Sequence, residues 1–118
     1  MAYIDGFILA VPHANKQTYI DMESKFGPLF KHFGATSFVV AWGDDVPQGV
    51  LTSFPRAVHL EEGENVVLSW ITWPDKATRD AGNAAVMADP MMAEFDPAKS
   101  PFDGKRMIFG GFEVVLEL

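Results

Sequence analysis

One carboxylate stands out because of its neighbours. Asp5 lies in the run Tyr3-Ile4-Asp5-Gly6-Phe7-Ile8-Leu9-Ala10-Val11, which Asp5 and Gly6 alone interrupt. A carboxylate buried in such a strand needs a partner. Without one, desolvation drives it towards the neutral acid, and it can exchange protons near neutral pH. Asp5 is therefore the candidate catalytic residue. An ion pair with Arg79 or Arg106, or exposure at the strand start, would make the same residue purely structural. Trp42, Trp70 and Trp73 carry flat apolar surfaces that can line a ligand pocket, or fill a core or a subunit interface. Lys105-Arg106 is the only adjacent basic pair. Arg106 can clamp a small anion through parallel N–H donors, or lie as a solvated edge. The candidate ligand-binding residues are Trp42, Trp70 and Arg106.

Other chemistries are poorly served. There is no cysteine, so disulfides, thiolate metal sites and cysteine nucleophiles are excluded. The three histidines, His13, His32 and His59, have separations that fit no metal site. His32, just before Gly34, suits the negative end of a helix. Asp44-Asp45 reads as a turn. No phosphate-binding glycine signature, H-E-x-x-H or G-x-S-x-G occurs. Neither a metal nor a cofactor is expected. A net charge of −7 repels a phosphate backbone, so no nucleic-acid partner is expected either. No apolar stretch reaches the roughly 18–20 residues of a membrane span, and the N-terminus lacks a basic leader region. The expected location is the cytoplasm, without membrane attachment.

The elements that must position these groups follow from hydrophobic spacing. The chain has 118 residues, 48% of them hydrophobic, enough for one domain over 1–118. The apolar run Tyr3–Val11, ended by Pro12, predicts a strand buried on both faces. Tyr19, Met22, Phe26, Leu29, Phe30 and Phe33 lie on one face of a helix that Asn15 opens and Gly34 stops. Thr36 to Trp42 predicts a second strand. The segment from Gly43 to Gly49 is a loop. Arg56–Glu61 and Val66–Trp73 read as a hairpin. Asp75 caps a second helix, whose Ala77, Ala81, Ala84, Ala85 and Ala88 would let it approach a sheet closely. Asp89-Pro90 opens a short turn. Met87, Met91 and Met92 are expected as a pliable wall beside the helix–sheet cleft. Met107–Leu118 predicts the last strand, with Gly110-Gly111 marking a bulge or close packing.

The order is β-α-β-β-α-β, an α+β ferredoxin-like fold with an antiparallel sheet. Right-handed crossovers put both helices on one sheet face. The strands are nevertheless apolar on both faces: Val66, Leu68 and Trp70 on one, Val67, Ile71 and Trp73 on the other. An uncovered apolar face is an association surface, so a homodimer is expected, its two sheets packed as a dimeric α/β barrel. The first strand lies between the third and the last, which predicts that Asp5, Trp70 and Arg106 are neighbours.

Several strings are familiar. Tyr3-Ile4-Asp5-Gly6-Phe7, Val11-Pro12, Trp42-Gly43-Asp44-Asp45-Val46-Pro47, Ser69-Trp70-Ile71 with Trp73-Pro74, and Pro101-Phe102-Asp103-Gly104-Lys105-Arg106-Met107-Ile108 with Gly110-Gly111-Phe112 resemble the bacterial YbaA-like family, classed as domain of unknown function 1428. The resemblance spans essentially the whole chain. It implies a ferredoxin-like domain within the dimeric α/β-barrel group, with no assigned activity and no catalytic residue to carry over. That wider group is similar at fold level and includes cofactor-independent monooxygenases, haem-degrading enzymes and stress-responsive domains, but fold does not transfer chemistry. Haem enzymes of this fold use an axial histidine on the second helix, and Lys76–Ala88 contains none. The leading reading is a small dimeric protein that binds a small organic molecule in the helix–sheet cleft. The alternatives are a cofactor-independent enzyme of monooxygenase-like type and a non-catalytic, stress-associated domain.

Overall fold

The computed structural model describes residues 1–118. Strand β1 spans Tyr3–Pro12, helix α1 Lys16–His32, strand β2 Ser37–Trp42, a single-turn helix α2 Phe54–Ala57, strand β3 Glu64–Trp73, helix α3 Lys76–Ala88 and strand β4 Ile108–Glu113. The sheet order is β2-β3-β1-β4, with every neighbouring pair antiparallel. This is the ferredoxin-like α+β arrangement. The sheet is open: β2 and β4 are its two edges and do not meet. A barrel therefore needs a second sheet.

The register fixes what each face carries. Phe7, Leu9 and Val11 of β1 stand opposite Ser69, Val67 and Asn65 of β3. This face receives α1 and α3, and its centre is Leu9, Val11, Val67 and Tyr19. The other face carries Ile4, Ile8 and Ala10 of β1 with Thr72, Leu68 and Val66 of β3. Only one end of it is covered: Val58 and Leu60, from the segment between β2 and β3, pack on Ala10 and Val66. The rest is open, with Leu68, Ile108 and Phe112 exposed. The molecule is a slab of 38 × 37 × 20 Å, the depth of one sheet carrying one layer of helices.

Several expectations need correction. Arg56–Glu61 is not a strand. Ser53 caps α2 by accepting from the Arg56 N–H, with Pro55 in the first turn, and β3 pairs instead with β2. A proline early in the segment and a cap before it favour a helical turn over an edge strand. The last strand ends at Glu113, beyond which only Val114 N–H reaches back, to the Ala2 carbonyl. Of the two readings of Gly110-Gly111, a bulge or close packing, the unbroken register Asp5↔Gly111 and Gly6↔Gly110 leaves the second. Finally, alanine is not what brings α3 onto the sheet. Ala77, Ala81, Ala84 and Ala88 are exposed, whereas Gly82 and Val86 are buried. A Cβ on Gly82 would run into the Trp73 ring and come within 2.9 Å of the Phe33 carbonyl. The predicted Asp75 cap does form, its carboxylate accepting from the Thr78 N–H at 2.7 Å. Asn15 makes no side-chain cap and instead donates to the Pro101 carbonyl at 3.0 Å.

Candidate functional site

Asp5 is buried under α3, and its oxygens are fully used. Arg79, one turn into α3, donates from Nη2 to Oδ1 at 2.7 Å and from Nε to both oxygens at 3.0 and 3.2 Å. Trp73 Nε1 and Asn83 Nδ2 donate to Oδ2 at 3.0 and 3.2 Å. The guanidinium also lies 5.1 Å over the Tyr3 ring and meets Asp80 Oδ1 at 3.0 Å. This carboxylate holds a two-ended donor and two further N–H groups, the pattern of a satisfied buried ion pair. Gly111 belongs to the arrangement: a Cβ there would strike the Tyr3 hydroxyl and lie 2.9 Å from Arg79 Nη2. That is the close packing the glycine pair signals.

Arg106 does not join Asp5. It sits at the opposite end of β1, where Nη1 and Nη2 each donate to Glu64 at 2.7 Å, Nε donates to Asp103 at 3.1 Å and Nη1 also reaches the His59 carbonyl. The Arg106 hydrogen bonds hold the Glu64 carboxyl below its ordinary range. The bond to the Lys105 N–H, and then Arg106, do the same for Asp103. Arg106 thus ties the segment before β4 to the start of β3. Trp70 is the register partner of Gly6, one position from Asp5, and so points to the uncovered face. The three residues expected together are therefore apart. The period-2 alternation of β1 separates Asp5 from Trp70, and the length of the strand separates Asp5 from Arg106. Trp42 lines a separate hollow of about 230 Å³ with Val46, Phe54 and Leu68, takes Lys16 Nζ 5.0 Å over its ring and meets His13 edge-on. No group of three or more His, Cys, Asp or Glu is arranged to hold a metal ion.

The space between α1 and the sheet holds a cavity of about 140 Å³. Its floor is Phe7 and Leu9 of β1, Phe38 of β2 and Ser69 and Ile71 of β3. Phe102 and Met107 close one side, and α1 supplies Tyr19, Glu23, Phe26 and Phe30. None of Asp5, Trp42, Trp70 and Arg106 lines it, and Met107 takes the place expected of Met87, Met91 and Met92. The Ser69 hydroxyl is committed to the Val39 carbonyl at 2.8 Å. Two polar groups remain. Burial pushes the Glu23 carboxyl up to about 7 from an ordinary 4.5. Burial, and then the neighbouring Glu23, push the Tyr19 phenol further above its ordinary 10.0. Glu23 has no hydrogen-bond or ion-pair partner in the chain. Every fully buried side-chain polar atom has a partner, so the free oxygens of Tyr19 and Glu23 face open space.

Glu23 is also the link to the outside. Together with Phe38 it walls a larger groove of about 600 Å³ between α1 and edge strand β2, bounded by Ile20, Ser24, Gly27, Lys31 and Val40. Gly27 lets the Phe38 ring lie against the helix, since a Cβ there would be 3.0 Å from the ring. The sequence carried a signal for Glu23. Tyr19, Glu23, Phe26 and Phe30 follow each other by four, three and four residues, so Glu23 is the one charge inside the apolar stripe of α1.

Residues 2–104 match the family described as protein of unknown function (DUF1428). The chain is 52% identical over 117 residues to the uncharacterized protein YbaA of Escherichia coli K12, covering 99% of each chain. It is equally identical to the YbaA protein of Shigella flexneri. Among solved structures it is similar to a dimeric ferredoxin-like protein from an uncultured marine organism, with a TM-score of 0.62 at 16% identity and all of both chains covered. A putative antibiotic biosynthesis monooxygenase from Bacillus cereus gives 0.60 at 11% identity, covering 100% of this chain and 95% of that one. An uncharacterized NIPSNAP domain protein from Burkholderia xenovorans gives 0.59 at 13% identity, covering 96% and 94%. At these identities the structural likeness speaks for the fold. No helix is long and apolar enough to cross a membrane.

Proposed function

The chain belongs to the family of proteins of unknown function DUF1428, and on that premise we propose that it is a homodimeric protein that binds a small, ring-sized organic molecule in the cavity between α1 and the sheet. The observation that carries this reading is an apolar cavity holding one unpaired carboxyl. Its size sets the ligand. An apolar cavity of roughly 150 Å³ accepts a benzene ring, and this one is about 140 Å³. Its chemistry sets the rest: apolar walls, one acceptor at Glu23 and one hydroxyl at Tyr19 suit a ring bearing a single polar group. In this reading Asp5 and Arg106 hold the frame, and Trp70 belongs to the subunit interface.

Phenol is a fitting probe. It should raise the melting temperature by several degrees, since a ligand at a hundred-fold excess over its Kd adds about 2.7 kcal/mol. Ile71→Phe, which fills the floor of the cavity, should abolish the rise. A response equal in both proteins, or none in either, contradicts the reading.

The dimer rests on the open sheet face. Ile4, Ile8, Leu68, Trp70, Ile108 and Phe112 share it, and neither α1 nor α3 covers them. A slab face of 38 × 37 Å has room for the roughly 800 Å² per partner of a standard interface. The marine neighbour is itself named a dimer. Light scattering at micromolar concentration should give twice the chain mass, and Leu68→Glu should return the chain mass. A wild-type monomer would defeat this part. A second reading, a cofactor-independent monooxygenase, is favoured by the likeness to the Bacillus cereus protein described as an antibiotic biosynthesis monooxygenase; oxygen uptake with phenol bound would support it.

A further inference from the structure

Resting on that cavity reading, we propose that Glu23 and Tyr19 form an acid–base pair that moves a proton on a ring-sized carbonyl compound, isomerising it without metal or cofactor. The two side chains stand one helical turn apart on α1 and are the only ionisable groups lining the cavity. The sheet contributes Phe7, Leu9, Phe38, Ser69 and Ile71, and the segment before β4 adds Phe102 and Met107, none of which titrates. In the outer groove the nearest charge is Lys31, about two turns along the same helix.

The states of the two groups are complementary. The Glu23 carboxyl, raised to about 7, is a base strong enough to take a proton and weak enough to return it at neutral pH. The Tyr19 phenol, raised further, stays protonated and is a permanent hydrogen-bond donor. On a β,γ-unsaturated ring ketone the step balances as follows. Glu23 carboxylate accepts the proton from the carbon between carbonyl and alkene. The C–H electron pair becomes the dienolate, whose oxygen accepts a hydrogen bond from the Tyr19 hydroxyl. Protonated Glu23 then returns the proton to the far alkene carbon, giving the conjugated ketone. Nothing is oxidised or reduced, and no co-reactant is consumed.

The test uses β,γ-cyclohexenone with the intact wild-type protein in deuterated buffer. Saturation-transfer NMR reads binding. Appearance of the conjugated absorbance reads isomerisation, and protium carried from the substrate to the shifted carbon, against a deuterated solvent, reads return of the proton by the same carboxyl. Wild type should bind and isomerise, with the rate rising with pH through about 7 as Glu23 loses its proton. Glu23→Gln should keep binding and lose at least a hundred-fold in rate, and Tyr19→Phe should lose roughly ten-fold or more. Binding without isomerisation overturns the acid–base pair and leaves the ligand cavity standing. No binding by wild type overturns both. Isomerisation that survives Glu23→Gln overturns the assignment to Glu23.

Discussion

Two carboxylates sit on the helix side of the same sheet and are treated in opposite ways. Asp5, under α3, receives donors from Arg79, Trp73 and Asn83, and the surrounding glycines, Gly82 and Gly111, are placed so that nothing else fits. Glu23, on the sheet-facing side of α1, receives no donor, and the side chains around it leave a cavity. The first region spends its polar chemistry on holding α3 to β1 and β3. The second leaves a carboxyl and a phenol unspent. A perturbed, unpartnered group beside open space is where binding or catalysis is to be sought, and a saturated one is where stability is.

The contrast can be broken first at Arg79. Arg79→Ala leaves the Asp5 charge buried with only neutral donors and should cost about 2–4 kcal/mol in denaturant unfolding. Replacing both partners, as Asp5→Leu with Arg79→Met, should cost clearly less than Arg79→Ala alone, because no charge is then stranded. Equal losses would mean that the pair contributes by packing only. Gly82→Ala comes next. Its methyl would strike the Trp73 ring, and overpacking of this kind costs about 1–3 kcal/mol; a neutral outcome would show that α3 can simply lift.

The Glu23 region should answer in the opposite direction. A carboxyl raised from 4.5 to about 7 holds its proton more tightly in the folded state. The folded chain is therefore favoured below pH 4.5, and that advantage is lost as pH rises to about 7 and beyond. Glu23→Gln should thus stabilise the protein by about 1–3 kcal/mol at pH 8 and change little at pH 4. A destabilising effect at pH 8 would indicate a hidden partner. The smallest effect is expected from Arg106→Lys, about 1 kcal/mol, since an ammonium cannot reproduce the two-ended contact with Glu64. Glu64 is held below its ordinary 4.5 by Arg106, so this contribution is present above pH 4.5 and fades as pH falls below it.

Strands β1 and β3 and helix α1 were legible because their apolar periods were unambiguous: β1 and β3 on both faces, α1 as one stripe. The segment 56–61 was misread because a β-branched residue and a leucine outweighed the Ser53-Phe54-Pro55 start of a helical turn. The partner of Asp5 was legible only as a choice between two arginines, since which arginine meets it depends on how α3 crosses the sheet. That crossing is set by Gly82, a residue without a hydrophobic signal of its own. Glu23 was missed for a different reason. A single charge inside an apolar stripe looks the same in sequence whether it snorkels to solvent or stays beside a void, and only the cavity distinguishes the two.

The most direct measurement is a carboxyl-carbon NMR titration of Glu23 in the intact protein. A midpoint near 7 is expected, moving when phenol fills the cavity. A midpoint near the ordinary 4.5, unmoved by phenol, would place Glu23 in bulk solvent and contradict the central claim.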